Sequence, residues 1–154
     1  MTITTGTDTY LDADGAATYF QNRLHSQTWT AATDPDRENA LRTATTLLDA
    51  LDYQGARATS SQPLAWPRRG MRDRDGCLLP SDVIPAAIPA ACAEWAIYLL
   101  THDPAQRAKI VTRKQVGDFW TEYAASLPDA LPTLVRLYLA PFLRTGANVA
   151  QIVP

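Results

Sequence analysis

Between Val83 and Leu100 the chain carries almost no polar side chain, and any fold it adopts has to be built around that stretch. Ala90, Ala91, Cys92, Ala93, Trp95, Ala96, Ile97, Leu99 and Leu100 are apolar nearly all round a helix, so no face is left to turn toward water. Pro85, Pro89 and Glu94 interrupt the run. It falls short of the ~20 clean apolar residues that a membrane-spanning helix needs. The segment is therefore expected as a helix buried on most sides, opening at Pro85 or Pro89 and stopped by His102-Asp103-Pro104.

Other elements must wrap that helix. Leu11-Asp12-Ala13 opens one, with Asp12 or Asp14 as its N-cap and Ala13, Ala16, Phe20 and Leu24 on one apolar face up to about Ser26. Asp34-Pro35-Asp36 starts a second. Asp34 suits the cap, Pro35 the first helical position, and Asp36 with Glu38 the positive end of the dipole. Leu41, Ala44, Leu48 and Leu51 make its apolar face, which ends near Tyr53 with Gly55 just beyond. Leu131, Leu134, Val135, Tyr138 and Leu139 give a last helix between Pro128 or Pro132 and Pro141. From Ile110 to Tyr123 strand formers surround Gly117-Asp118, which predicts a β-hairpin or arm over 108–124.

Residues 54–80 show neither period and hold Pro63, Pro67, Gly70, Gly76 and Pro80. So long a connection is expected to bind something or to reach onto a neighbour. The tail, 146–154, is uncharged and partly apolar, and is expected to dock. The fold class is thus mainly α: a small helical bundle of about four helices with a long extended loop and a short β-hairpin or arm, in a single domain of 154 residues. The first ten residues have no basic residue and no apolar run, so no signal peptide is expected, and the domain reads as soluble and cytosolic.

Chemistry-bearing motifs are sparse. The seven glycines are isolated and none precedes Lys-Ser or Lys-Thr, which excludes a phosphate loop, and there is no Gly-x-Ser-x-Gly elbow. His25, His102, Cys77 and Cys92 are too far apart in sequence for the paired spacing of a structural zinc site. Asp73-Arg74-Asp75-Gly76 lacks the ligands that complete a calcium loop and reads as a turn. No nucleophile, base and orienter come together, so neither catalysis nor a cofactor or metal is expected.

Charge is unevenly placed. Three basic and eight acidic side chains lie in residues 1–53, against eleven and eight in 54–154, for a net of −2 overall. Twelve of the basic residues are arginine, the side chain suited to planar pairing with carboxylate or phosphate. Such polarity reads on composition as two solvated faces, or as acidic surface stacked on basic surface in a ring or layered assembly. One arginine group lies at 57–74, and Arg107, Lys109, Arg113 and Lys114 form another. The most unusual stretch is Gln62-Pro63-Leu64-Ala65-Trp66-Pro67-Arg68-Arg69-Gly70. Its prolines stiffen a segment that carries an indole and two guanidinium groups, the side chains most enriched at interface hot spots. Trp66 is expected to pin the loop to the core, to meet a partner, or to do both.

In this order the sequence resembles a phage family. Tyr10-Leu11, Ala13-Asp14, Tyr19-Phe20, Trp29, Ala40-Leu41, Ala44-Thr45, Leu48-Asp49 and Gly55 lead to Gln62-Pro63-Leu64-Ala65-Trp66-Pro67-Arg68. Asp75-Gly76, Ile84-Pro85, Lys114-Gln115-Val116-Gly117 and Tyr123 follow. From about residue 10 to 145 the chain is similar to the head–tail connector (adaptor) proteins of tailed phages, some of whose sequences are also labelled as primosomal, DnaT-like single-strand-DNA-binding proteins. The resemblance implies a homo-oligomeric, dodecameric ring in the virion neck, made in the host cytoplasm. The ring would sit below a portal protein and above a stopper or tail-completion protein, with double-stranded genomic DNA crossing its lumen and no membrane partner. Gln62, Trp66, Arg68, Arg69, Val149 and Ile152 would then meet the neighbouring rings, and Arg57, Arg72, Arg74, Arg113 and Lys114 would face DNA. The alternative function is single-stranded DNA binding. It would use Trp66 with Arg57, Arg68 and Arg69, and Trp120 with Arg113 and Lys114.

Overall fold

A computed structural model describes residues 3–103, 114–116, 119–121 and 131–144. Its helices are α1 (Ala13–Gln21), α2 (Gln27–Ala31), α3 (Asp34–Asp49), α4 (Ala87–Leu99) and α5 (Thr133–Leu139). Two antiparallel pairs of short strands join them: β1 (Ala56–Arg57) with β2 (Arg68–Arg69), and β3 (Lys114–Val116) with β4 (Phe119–Thr121). The fold is mainly α, as the sequence implies.

The apolar stretch becomes α4, and α3 and α5 flank it while α1 closes over α3 and α4. Ile88, Ala91, Cys92, Ala93 and Ala96 have no exposed surface. The helix opens between the two expected prolines. The Pro85 carbonyl accepts the Ile88 N–H at 2.9 Å, and Pro89 falls in the first turn, where its missing N–H costs nothing. Alanines on α4 let α3 approach closely enough for Cys92 Sγ to reach Thr45 Oγ1 at 3.5 Å. Burial pushes the Cys92 thiol up to about 11.

Among the described residues, Glu94 is the one charge inside this core, 4% exposed. Arg23 of the turn after α1 grips it with two bonds, Nε to Oε1 at 2.6 Å and an Nη2 donor to Oε2 at 2.8 Å. The Tyr19 hydroxyl donates to Oε1 at 2.8 Å and lies 3.1 Å from the Tyr138 hydroxyl of α5. Burial first, then these bonds, raise the Tyr19 pKa well above the tyrosine range. One buried carboxylate thereby ties α1, α4 and α5 together.

Three local expectations need correction. Asp12 does cap α1, accepting the Gly15 N–H at 2.7 Å, but the helix ends at Gln21 and Leu24 is 82% exposed, off the apolar face. The chain turns through His25 in the left-handed region and begins α2, which sets Trp29 against Phe20 with ring centroids 4.9 Å apart. Thr33, not Asp34, caps α3. Its hydroxyl oxygen accepts the Asp36 N–H at 3.3 Å and its O–H donates to the Asp36 carboxylate at 2.7 Å, a reciprocal arrangement akin to a capping box. That helix stops at Asp49, four residues before Tyr53. The expected hairpin is present in its centre, with Val116 opposite Phe119 and Lys114 opposite Thr121. The rest of 108–124 and the tail 146–154 lie outside the described residues.

The Arg23–Glu94 pair has an asymmetry that mutation should expose. Arg23 is partly exposed and can solvate itself if Glu94 is lost, whereas Glu94 has no access to water. Arg23→Ala should therefore cost about 3 kcal/mol by leaving a buried charge unpaired. That corresponds to about 6–12 °C in Tm for a chain of this size. Glu94→Gln should cost less, and equal losses in thermal melts of the two variants would contradict this account.

Candidate functional site

The long connection between α3 and α4 folds onto its own domain. Asp49 Oδ1 accepts the hydroxyl of Tyr10 and the Ala65 N–H, the latter at 3.1 Å, and the Tyr10 oxygen accepts the Trp66 N–H at 3.2 Å. Leu64, Ala65, Trp66 and Met71 are all buried. The Trp66 indole is 2% exposed, edge-on to Tyr53 at 5.4 Å and to Phe142 at 5.3 Å, and the Trp66–Pro67 peptide is cis. Trp66 therefore fills its expected core role. Burial raises the Tyr53 pKa well above the tyrosine range.

Gln62 closes the loop on itself. Its Oε1 accepts the Thr59 N–H at 2.9 Å, and its Nε2 donates to the Leu64 and Pro67 carbonyls at 2.8 and 2.9 Å. The two ends of this closed loop pair as a ribbon, Ala56 opposite Arg69 and Arg57 opposite Arg68. Gly55 makes the ribbon possible: its φ is 65°, and a Cβ there would collide with the Arg69 carbonyl oxygen.

Directly opposed residues share a face, so Arg57 and Arg68 lie on one side of the ribbon and Arg69 on the other. Arg68 is spent on structure. Nε donates to the Gln54 carbonyl at 2.9 Å, while Nη1 and Nη2 donate to those of Ala65 and Gly55 at 3.3 and 3.2 Å. Its guanidinium carbon stands 5.6 Å from the Tyr53 ring centroid. Burial lowers its pKa, and the neighbouring charges of Arg57 and Arg144 add to that. Arg57 and Arg69 are exposed and make no side-chain hydrogen bond or ion pair with the described residues.

Arg72 and Arg74 lie in the turn that follows. Met71 and Leu79 bracket it, and Asp73 Oδ1 accepts the N–H groups of Asp75 and Cys77. Arg72 donates to the Gly76 carbonyl at 2.6 Å, and Arg74 reaches across to the Leu137 carbonyl of α5 at 3.1 Å. The structure thus brings Arg57, Arg68 and Arg69 together, with Arg72 and Arg74 adjoining in the chain. Lys114 opens β3, opposite Thr121. Arg113, Val149 and Ile152 lie outside the described residues.

One basic residue was missed by sequence reasoning. Arg144 arrives beside the ribbon because Leu143 bridges Tyr53, a pairing between positions ninety apart that no local pattern announces. Asp52 stands beside Arg144, and Asp73 and Asp75 flank Arg74, while a further acidic group lies away from the ribbon. Asp34 and Asp36 stand in the first turn of α3, and the ribbon follows its far end, about 24 Å away along a helix of 16 residues. A cavity of about 750 Å³, lined by Asp36, Asn39, Thr43, Leu99 and Asp103 among others, lies at that acidic end. Among the described residues no three His, Cys, Asp or Glu side chains gather as metal ligands, and no helix is long and apolar enough to cross a membrane.

Against known proteins, the family profile described as "Putative DnaT-like ssDNA binding protein" matches residues 2–153. No curated protein and no solved structure matches the chain. The family match overturns the head–tail connector expectation, and the neck, portal and virion-assembly roles attached to it. The physical reason lies in the residues that carried the resemblance. Leu64, Ala65 and Trp66 are core side chains, so that motif reports how the loop folds and not what the protein meets.

Arg68 should behave as the ribbon's clamp. A lysine keeps the charge but cannot serve three carbonyls from one planar group. Arg68→Lys should therefore lose about 1–2 kcal/mol, visible as a fall of about 2–8 °C in Tm. An unchanged melt would show that the three carbonyl contacts contribute nothing.

Proposed function

Because the chain belongs to the "Putative DnaT-like ssDNA binding protein" family, we propose that it binds single-stranded DNA, with backbone phosphates lying along the arginine ribbon. The family match carries this reading, and the ribbon's chemistry supports it. Arg57 and Arg69 offer free guanidinium groups on both faces of a segment that Arg68 holds rigid. Bidentate donation from such groups suits phosphate oxygens. Part of the negative charge is remote, since Asp34 and Asp36 of α3's first turn stand a helix length away, while Asp52, Asp73 and Asp75 lie near the ribbon and moderate its charge.

The ribbon meets phosphates and not bases. Stacking platforms for single strands are exposed aromatics. Tyr53 and Trp66, the aromatic rings beside the ribbon, are both buried. Binding should therefore be tolerant of sequence and steeply dependent on salt.

Anisotropy of a labelled oligo-dT tests this better than tryptophan quenching, since Trp29, Trp66 and Trp95 are all buried. With Arg57 and Arg69 each meeting one phosphate, affinity should fall at least about sevenfold between about 50 and 200 mM salt. The double variant Arg57→Ala/Arg69→Ala should reduce the slope of log affinity against log salt by about 1.4. No binding at low salt, or a slope indifferent to this double change, would sink the proposal.

A further inference from the structure

Asp52 and Arg144 face each other at the margin of the ribbon. The chain at 52–54 pairs with 142–144: the Gln54 N–H donates to the Phe142 carbonyl at 2.9 Å and the Arg144 N–H to that of Asp52 at 3.0 Å. Gln54 Nε2 strengthens the join, donating to the Leu143 carbonyl at 2.9 Å. The same Gln54 offers its own carbonyl to Arg68, so the Arg144 backbone is fixed relative to the ribbon. Arg144 also lies close enough for its charge to be felt at Arg68.

The side-chain pair itself is loose. Arg144 Nε stands 3.6 Å from Asp52 Oδ1, and the two side chains are 59% and 57% exposed. The buried Arg23–Glu94 pair, at 2.6 Å with a second bond beside it, shows what a committed pair looks like in this protein. An exposed single contact of this length contributes little to stability. A phosphate oxygen offers the same guanidinium an anionic acceptor, and releases a counterion from the nucleic acid as it binds.

We propose that Arg144 is a further phosphate contact of the ribbon and that Asp52 occupies it in the free protein, so that the DNA backbone displaces the carboxylate on binding. The inference rests on the reading of the ribbon as a phosphate site. It gives Asp52 a regulatory part: it sets the affinity by competing for one of the site's own arginines.

The test is a double-mutant cycle read by anisotropy of labelled oligo-dT, with thermal melts confirming that each variant is folded. Asp52→Asn should tighten binding about threefold at low salt, and Arg144→Ala should weaken it about fivefold while lowering the salt slope by about 0.7. In the Arg144→Ala background, Asp52→Asn should have no effect. Equal tightening in both backgrounds would reduce Asp52 to a general charge effect and overturn the competition. An unchanged slope for Arg144→Ala would overturn the contact. If wild-type binding depends on Arg57 and Arg69 while both of these variants are silent, this inference alone fails. If binding ignores Arg57 and Arg69 too, the ribbon reading fails with it.

Discussion

The carboxylate of Asp49, at the end of α3, holds in place two irregular parts of the described residues that no helix packing would order. Through the Tyr10 hydroxyl it fixes the N-terminal segment, and through the Ala65 N–H it fixes the middle of the long loop. Tyr10 passes the connection on by accepting the Trp66 N–H. A carboxylate at a helix C-terminus faces the negative end of the dipole, which is an unfavourable place for it. Charge-assisted bonds to a hydroxyl and an amide offset that cost. Burial first, and its bond to Asp49 second, raise the Tyr10 pKa well above the tyrosine range. With Leu64–Trp66 anchored there, the two ends of the loop have little choice but to meet as a ribbon.

Charge separation follows from the same helix. The first turn of α3 collects acidic side chains because they suit its dipole and because Thr33 needs Asp36 to complete the cap. Its last turn leads into a loop whose arginines answer carbonyls and whose carbonyls answer arginines. A rigid helix of 16 residues keeps Asp34 and Asp36 away from the ribbon, so within a protein of negative net charge Arg57 and Arg69 are opposed locally by the few carboxylates of Asp52, Asp73 and Asp75. Composition alone hides this, since it averages over the length of α3.

The sequence makes the long helices legible because their apolar spacing is a local property. Leu41, Ala44 and Leu48 of α3 and the Ala91–Ile97 stretch of α4 are buried as expected, whereas Tyr98 is exposed and Leu99 and Leu100 are half-buried at the helix end. The short α2 leaves no such trace: five residues do not complete a period, and Trp29 reads as an isolated aromatic until Phe20 is placed against it. The site was half legible. Arg57, Arg68 and Arg69 stand out by residue type, but which of them is free depends on where the carbonyls of Gln54, Gly55 and Ala65 fall. That is settled by Gly55 at a positive φ and by a bond network spanning the chain. Arg144 was invisible because its place depends on pairing between segments ninety residues apart.

The Leu64-Ala65-Trp66-Pro67-Arg68 motif shows why a distinctive string can mislead about function. Each of its side chains is engaged internally: Leu64, Ala65 and Trp66 in the core, and Arg68 on three backbone carbonyls and the Tyr53 ring. A change at any of them disturbs packing or leaves acceptors unpaired, whatever the protein binds. The motif is therefore the signature of a loop architecture, which proteins with different partners can share. Function has to be sought among the side chains that this architecture leaves unspent. Arg57 and Arg69 are fixed in direction by the ribbon and answered by no carboxylate or carbonyl of the described residues. Arg144 is held only by a long, solvent-exposed contact. Free positive charge on a rigid support is what a phosphate chain requires, and here it lies beside the motif and outside it.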